Sequence, residues 1–327
     1  MNGGCRERAR TGAIVSVAAA IGAALRRGPS LRGRGALAQR AHQLLARGGS
    51  PGVGGARSLN VPMALGHVMC APASSGQTWG AVFTGRYDDE VLELLGAWIL
   101  PGSLVLDVGA SLGFYTVPLA VRSRADGSKV VAFEPLPENL AVLRENLARN
   151  GLAGEVRVFA CGLSDREASL SLRPEPGGQG NAVLGAAGPD QVPVRVLPLD
   201  SVRLPAARCS LVKLDVEGHE PRVLAGAEAF VAEHRPVIIG EFEAYWLAHF
   251  GWPPDAAQRW AVAHDYGCYA VRLRRRAAWT DRAHVTLASL SPGQPRADVG
   301  VLLVPSERAW PMAARRALDA TEATRRR

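Results

Sequence analysis

Two short stretches carry most of the chemical signal in this 327-residue chain. In Asp107-Val108-Gly109-Ala110-Ser111-Leu112-Gly113 a carboxylate ends an apolar run, and glycines follow at Gly109 and Gly113. Glycine has no Cβ, so the backbone there can turn tightly and approach a ligand closely. The Asp107 carboxylate disfavours a pyrophosphate and suits a cationic ligand. Glu134 ends a second apolar run. A carboxylate at such a tip can accept hydrogen bonds from both hydroxyls of a ribose. The dinucleotide pattern G-x-G-x-x-G is absent, since two glycines four apart do not form it. A cationic adenosyl ligand therefore fits better than a dinucleotide, and S-adenosylmethionine is the expected cofactor. The alternatives are a nicotinamide-dependent oxidoreductase on a similar sheet and a non-catalytic nucleoside-binding scaffold.

A second cluster follows later, in Lys213, Asp215, Glu217, His219 and Glu220, with Glu241 and Glu243 beyond. In-line methyl transfer draws most of its rate from holding acceptor oxygen and methyl carbon in line at ~3–3.5 Å. An alcohol acceptor must also lose a proton, and a positioned base typically contributes ~10²–10⁴-fold. His219 has the most suitable unperturbed pKa for that role, and Asp215 is its rival. Lys213 lies two residues from Asp215, on the same face of a strand. So apolar a strand should hold its lysine paired.

These residues need strand tips to present them. Leu104–Val108, Lys129–Phe133, Val156–Ala160, Leu211–Val216 and Pro236–Phe242 read as principal strands. Helices are predicted over Asp89–Leu100, Phe114–Arg124, Pro137–Arg149, Pro221–Phe230 and Asp255–His264. Ser169–Leu172 and Val192–Leu197 form an excursion around a Gly-rich loop at 177–188, while Cys268–Leu273 and Gly300–Val304 close the sheet. Strands alternating with helices of this length mean an α/β fold with a doubly wound, mostly parallel sheet. Ligands sit at the carboxyl ends of such strands.

The stretches L-V-L-D-V-G-A-S-L-G-F-Y-T (104–116), V-V-A-F-E-P (130–135) and L-V-K-L-D-V-E-G-H-E (211–220) resemble the FkbM family of S-adenosylmethionine-dependent methyltransferases. G-R-Y-D-D-E (85–90) and P-L-D-S-V (198–202) are also similar to it. The resemblance spans roughly residues 80–245. It implies a seven-strand Rossmann-like methyltransferase sheet with an antiparallel last strand, and O-methylation of a sugar, natural product or other small molecule. Carried over by position, Asp107, Gly109, Ser111, Gly113, Phe114, Tyr115 and Thr116 would line the methionine half of the cofactor. Glu134 would hold the ribose. Gly162, Leu163, Ser164 and Asp165 would face the adenine. Asp215 would stand where acceptor and sulfonium meet.

Composition narrows the remaining classes. Hydrophobic residues at 47% and charged residues at 21% make the chain globular. Its net charge of +8 is segregated: residues 1–60 hold ten arginines and one acid. A basic, flexible arm is expected over 1–60, a lead-in segment over 61–100, the methyltransferase domain over 101–305 and a basic tail over 306–327. Lys129 and Lys213 are the only lysines. Arginine runs such as Arg274-Arg275-Arg276 are then weak evidence for nucleic acid, and no nucleic-acid partner is expected. No 18-residue apolar window exists, so no membrane span is expected. The five cysteines are scattered without metal-ligand spacing, which suits a reducing cytoplasm and predicts no metal site.

Overall fold

The computed structural model describes residues 19–24, 58–72, 76–174, 182–184, 191–205, 207–275, 283–293 and 300–325. Fourteen strands are seen among them. β1 (Ser58–Pro62) and β2 (Val68–Pro72) form a hairpin before the main body. The principal strands are β3 (Leu104–Val108), β4 (Lys129–Phe133) and β5 (Val156–Phe159). The excursion holds β6 (Gly162–Leu163), β7 (Ala168–Pro174), β8 (Ala182–Leu184) and β9 (Val192–Leu197). The chain returns through β10 (Cys209–Leu214) and β11 (Val237–Gly240), then β12 (Tyr266–Arg275), β13 (Ala283–Ser289) and β14 (Val301–Pro305).

The large sheet has the order β13-β12-β14-β11-β10-β3-β4-β5. β5, β4, β3, β10 and β11 are parallel, and β14 runs antiparallel to β11. This is the expected doubly wound arrangement with an antiparallel final strand, but it has eight strands where seven were expected. The extra strand is β13, paired antiparallel with β12 at the sheet edge. The excursion folds as a separate four-stranded sheet, β6-β9-β7-β8.

Every residue of β3 and β10 is buried, as strands covered on both faces must be. Alternate side chains feed two apolar clusters. Val105, Leu211, Val130 and Ala132 belong to one, and Leu106, Val212, Val131 and Phe133 to the other. By this period of two, Asp107 and Lys213 face the first cluster. They are also register partners across the β10–β3 pair.

Nine helices cover the sheets among the described residues that follow β2. They are α1 (Gly76–Thr84), α2 (Asp89–Gly96), α3 (Thr116–Ser123), α4 (Pro137–Arg149), α5 (Glu220–Ala225), α6 (Glu228–His234), α7 (Ala244–His249), α8 (Ala256–Ala263) and α9 (Met312–Arg325). The span predicted as one helix over Pro221–Phe230 is two, α5 and α6. Gly226 separates them, and a Cβ there would lie 1.9 Å from the Ser164 carbonyl oxygen. Close approach to the Ser164 turn thus breaks the helix.

The arm and tail boundaries differ from composition too. β1 begins at Ser58, and residues 19–24 form a helical turn whose Gly22 sits against Val82. The rest of the arm, the Gly-rich linker at 48–55 and much of the 177–188 loop lie outside the described residues. At the other end α9 packs on β13, burying Ala314 and Ala317. The hairpin is tied to the body by two asparagines of the α4 end. Asn146 pairs with both backbone groups of Cys70 and donates to the Leu112 carbonyl, while Asn150 does the same for Val68. Asn146 thereby joins the lead-in to the glycine loop that follows β3.

Candidate functional site

A cleft opens at the carboxyl ends of β3, β4 and β10. Gly109, Ser111, Glu134, Leu163, Asp215 and His219 all line it. Sequence positions more than 100 residues apart are thus brought together. The outer wall is aliphatic: Leu136, Leu170, Leu172, Val194 and Val196. Most of it comes from the excursion sheet, and no local sequence signal marks those strands as part of a site.

The glycine loop is built by close approach. Gly109 has φ +78°, and a Cβ on it would lie 1.9 Å from the Asp215 carbonyl oxygen. Gly113, at φ +92°, would meet only the Leu143 side-chain end at 2.7 Å. Between them Ser111 is left-handed at φ +49°. Its N–H donates to Glu134 Oε2 at 2.7 Å, and Glu134 Oε1 accepts from the Leu136 N–H (2.9 Å) and Asn139 Nδ2 (3.2 Å). Glu134, which lines the cleft, is thereby fixed. Burial pushes its carboxyl up to about 7 despite those donors and the Lys213 charge. Asn139, in the first turns of α4, was not foreseen.

Asp107 stands elsewhere than expected. It is fully buried and does not line the cleft. Its Oδ2 accepts from Thr116 Oγ1 at 2.6 Å, and its Oδ1 lies 3.4 Å from Lys213 Nζ. The cause is strand parity: Asp107 faces the layer that holds α3. Phe114, Tyr115 and Thr116 belong to that layer as well. Phe114 packs on Tyr87 with centroids 4.5 Å apart, and the Tyr115 hydroxyl donates to Asp88 at 3.1 Å.

Lys213 knots this layer to the cleft. Its ammonium donates to the Gly109 carbonyl (3.0 Å), pairs with Asp215 (3.2 Å) and lies over the Tyr115 ring, 5.1 Å from its centroid. Burial works against its charge, but Asp215 and Asp107 outweigh burial and raise its pKa. Beyond Asp215 the chain turns through two left-handed residues, Glu217 (φ +53°) and Gly218 (φ +90°). Gly218 lies under the Trp246 carbonyl, where a Cβ would come within 2.6 Å. Glu220 Oε1 accepts from the N–H groups of Val216 and Gly218 and so staples the turn. Glu217 lines the cleft, and burial together with Asp215, Glu241, Glu220 and Glu243 lifts its carboxyl to about 8. Burial and Asp215 do the same for Glu241. Left-handed non-glycine residues cost roughly 1–3 kcal/mol each and gather where function needs them; here Ser111 and Glu217 flank one cleft.

His219 belongs to the other end. Its Nε2 is 2.9 Å from the Ser164 hydroxyl, its ring meets Phe250 edge-on, and its buried Nδ1 has no hydrogen-bond partner. Burial, with Arg222 nearby, holds it down at about 4. It is therefore neutral through the neutral pH range, and no rise in rate near pH 6–7 can come from it. Asp165, the adenine-facing candidate, is turned to Arg222 (2.8 Å) and to the Ser164 hydroxyl. Among the described residues no three His, Cys, Asp or Glu side chains converge as a metal-holding group. Cys70, Cys161, Cys209 and Cys268 are buried free thiols, and no described helix is long and apolar enough to cross a membrane.

The family model for the methyltransferase FkbM domain matches residues 107–267, from the tip of β3 to the start of β12. The chain is 32% identical over 166 residues to the 31-O-demethyl-FK506 methyltransferase FkbM of Streptomyces tacrolimicus, covering 41% of this chain and 62% of that one. It is 29% identical over 149 residues to Methyltransferase 1 of Beauveria bassiana, covering 38% and 59%. A hexuronic acid methyltransferase, AglP of Haloferax volcanii, is 27% identical over 150 residues, covering 43% and 56%. The chain thus spans less than two thirds of the length of each of these relatives. A crystal structure of a methyltransferase FkbM from Methylobacillus flagellatus aligns with TM-score 0.39 and 18% identity, covering 71% of this chain and 55% of that one. At that score no residue-by-residue correspondence follows. Residues 107–267 are thus similar to the methyltransferase FkbM domain.

Proposed function

We propose that the protein transfers the methyl group of S-adenosylmethionine to a hydroxyl of a small molecule, sugar or natural product. The observation that carries this reading is Glu134, which lines the cleft at the tip of β4 and is held there by three donors. A ribose diol needs such an acceptor. The rest of the cleft fits the same cofactor. Leu163, Leu136 and Val196 offer an apolar wall for a purine, and Asp215 and Glu217 offer negative charge for a sulfonium and an ammonium. Neither Asp107 nor a glycine fingerprint provides for a pyrophosphate.

The cofactor, when bound, supplies a methyl carbon already activated by positive sulfur. The chain's task is then to orient and to remove a proton. Asp215, fixed by Lys213 beside the Gly109 carbonyl, sets the floor where the acceptor meets the methyl group. Close packing of Gly109 on Asp215 keeps that floor rigid. Proximity of this kind is worth several orders of magnitude in rate. The cleft also offers an anionic acceptor little compensating charge, since Lys213 is already paired with Asp107 and Asp215. A hexuronate, named for the Haloferax relative, suits this cleft less well than a neutral alcohol.

The test is methyl transfer from cofactor labelled in its methyl group to a panel of neutral hydroxylated compounds and their uronic acid counterparts. Label appearing as a methyl ether on neutral acceptors is the expected result. Transfer only to amines or only to anionic acceptors would contradict this reading of the substrate, and oxidation of any acceptor with a nicotinamide cofactor would contradict the chemistry.

A further inference from the structure

We infer that Glu217 is the group that takes the acceptor's proton, and that the cofactor's own positive charge readies it for this. The inference rests on the reading of the cleft as a site for S-adenosylmethionine. Five carboxylates (Asp215, Glu217, Glu220, Glu241 and Glu243) and one imidazole stand near the tips of β10 and β11, and the geometry separates the candidates. Asp215 is already committed to an ion pair with Lys213, 3.2 Å away. His219 has Nε2 committed to Ser164, and its Nδ1 is buried. Glu241 does not line the cleft. Glu217 does, on two successive left-handed residues locked under the Trp246 carbonyl.

Its surroundings define how it titrates. Asp215 and Glu220 face it from its own turn, and Glu241 and Glu243 from the end of β11. Lys213 is the nearby cation and is already shared between Asp107 and Asp215. Burial first, and after it these acidic neighbours, raise the Glu217 pKa to about 8, so the free protein holds it protonated at neutral pH. A sulfonium placed beside this cluster favours the ionised carboxylate instead. Glu217 then takes the hydroxyl proton as the acceptor oxygen's lone pair forms the new O–C bond. The C–S bonding pair returns to sulfur, leaving a neutral thioether. Glu217 is left as a carboxylic acid, its form in the free protein, and gives that proton to solvent when the next S-adenosylmethionine binds.

The cofactor and its demethylated product, S-adenosylhomocysteine, differ at the sulfur by one positive charge, so the pair isolates the effect. Calorimetric titration of the full chain at pH 7, in two buffers of different ionisation enthalpy, counts protons released on binding. S-adenosylmethionine is expected to release close to ~1 more proton per site than S-adenosylhomocysteine, and its relative affinity to rise by up to ~10-fold per pH unit between about pH 6 and 8. Both differences should vanish in Glu217→Gln, whose unfolding midpoint should match wild type and which should still bind S-adenosylhomocysteine measurably, as evidence of an intact fold and cleft. Glu217→Asp retains a carboxyl and should retain the release. Equal release by the two ligands in the wild-type protein, or an undiminished difference in Glu217→Gln, would overturn the role of Glu217 and leave the cofactor reading standing. Failure of the wild-type protein to bind either ligand would overturn the cofactor reading itself.

Discussion

Replacing Gly109 by alanine should damage this protein more than the same change at other left-handed glycines. The structure ranks three of them. Gly127 has φ +75° with nothing within 4 Å of an added Cβ. Alanine there costs only the left-handed backbone, roughly 1–2 kcal/mol. Gly113, at φ +92°, adds a 2.7 Å contact with a leucine methyl that can swing away, so its cost stays near the same value. At Gly109 the obstacle is the Asp215 carbonyl oxygen at 1.9 Å. Backbone cannot rotate aside. Relief to even ~3 Å needs the β3 and β10 tips to part by about 1 Å, an overpacking cost of typically ~1–3 kcal/mol on top of the backbone term. Gly109→Ala should therefore lose ~2–5 kcal/mol. The same displacement moves Asp215 and Lys213, so any methyl transfer should fall by about 10²-fold even in the folded fraction. Denaturant unfolding of the three variants beside wild type reads the ranking. Equal losses at Gly109 and Gly127 would refute the close-approach argument.

Three further outcomes follow from other parts of the structure. Glu134→Ala removes the acceptor proposed for the ribose and should weaken S-adenosylmethionine binding by ~1.5–3 kcal/mol, the value of hydrogen bonds to a charged group; titration calorimetry measures it, and unchanged affinity removes Glu134 from the ribose. Lys213→Met leaves the buried Asp107 without its cation and should cost about 3–5 kcal/mol of stability in denaturant unfolding. His67 has neither ring nitrogen hydrogen-bonded, and burial holds it down at about 4. Its folded pKa is below the unfolded 6.5, so the unfolded chain binds the extra proton and stability is lost as pH falls from about 6.5 to 4. The stability difference between wild type and His67→Leu, measured by unfolding at several pH values, should shrink across that window by up to about 3 kcal/mol.

What could be read from the sequence was what short range controls. β3, β4 and β10 are apolar runs ended by Gly, Pro or acidic residues, and each appears within two residues of its expected bounds. Gly109, Glu134 and Asp215 lie at strand tips, so alternation alone carried them to the cleft. The surroundings of Asp107 were not legible because its partner is Lys213, more than 100 residues away, and only the β10–β3 register brings the two side by side. The helix over Pro221–Phe230 was read as continuous because the obstacle at Gly226 is the distant Ser164 carbonyl. β13, with His284, Thr286 and Ser289 interspersed among apolar residues, has no signature apart from the strand it pairs with. The aliphatic wall from Leu170, Leu172, Val194 and Val196 is equally a product of long-range pairing between β7 and β9.

The central claim is that this cleft holds the adenosyl cofactor with its ribose on Glu134. A crystal structure of the protein soaked or grown with S-adenosylhomocysteine tests it most directly. The account predicts both ribose hydroxyls within hydrogen-bond distance of the Glu134 carboxylate, ~2.5–3 Å, with the purine against Leu163 and Val196 and the sulfur toward Asp215 and Glu217. A ligand seated with its ribose away from Glu134, or its sulfur toward the His219 end, would contradict it.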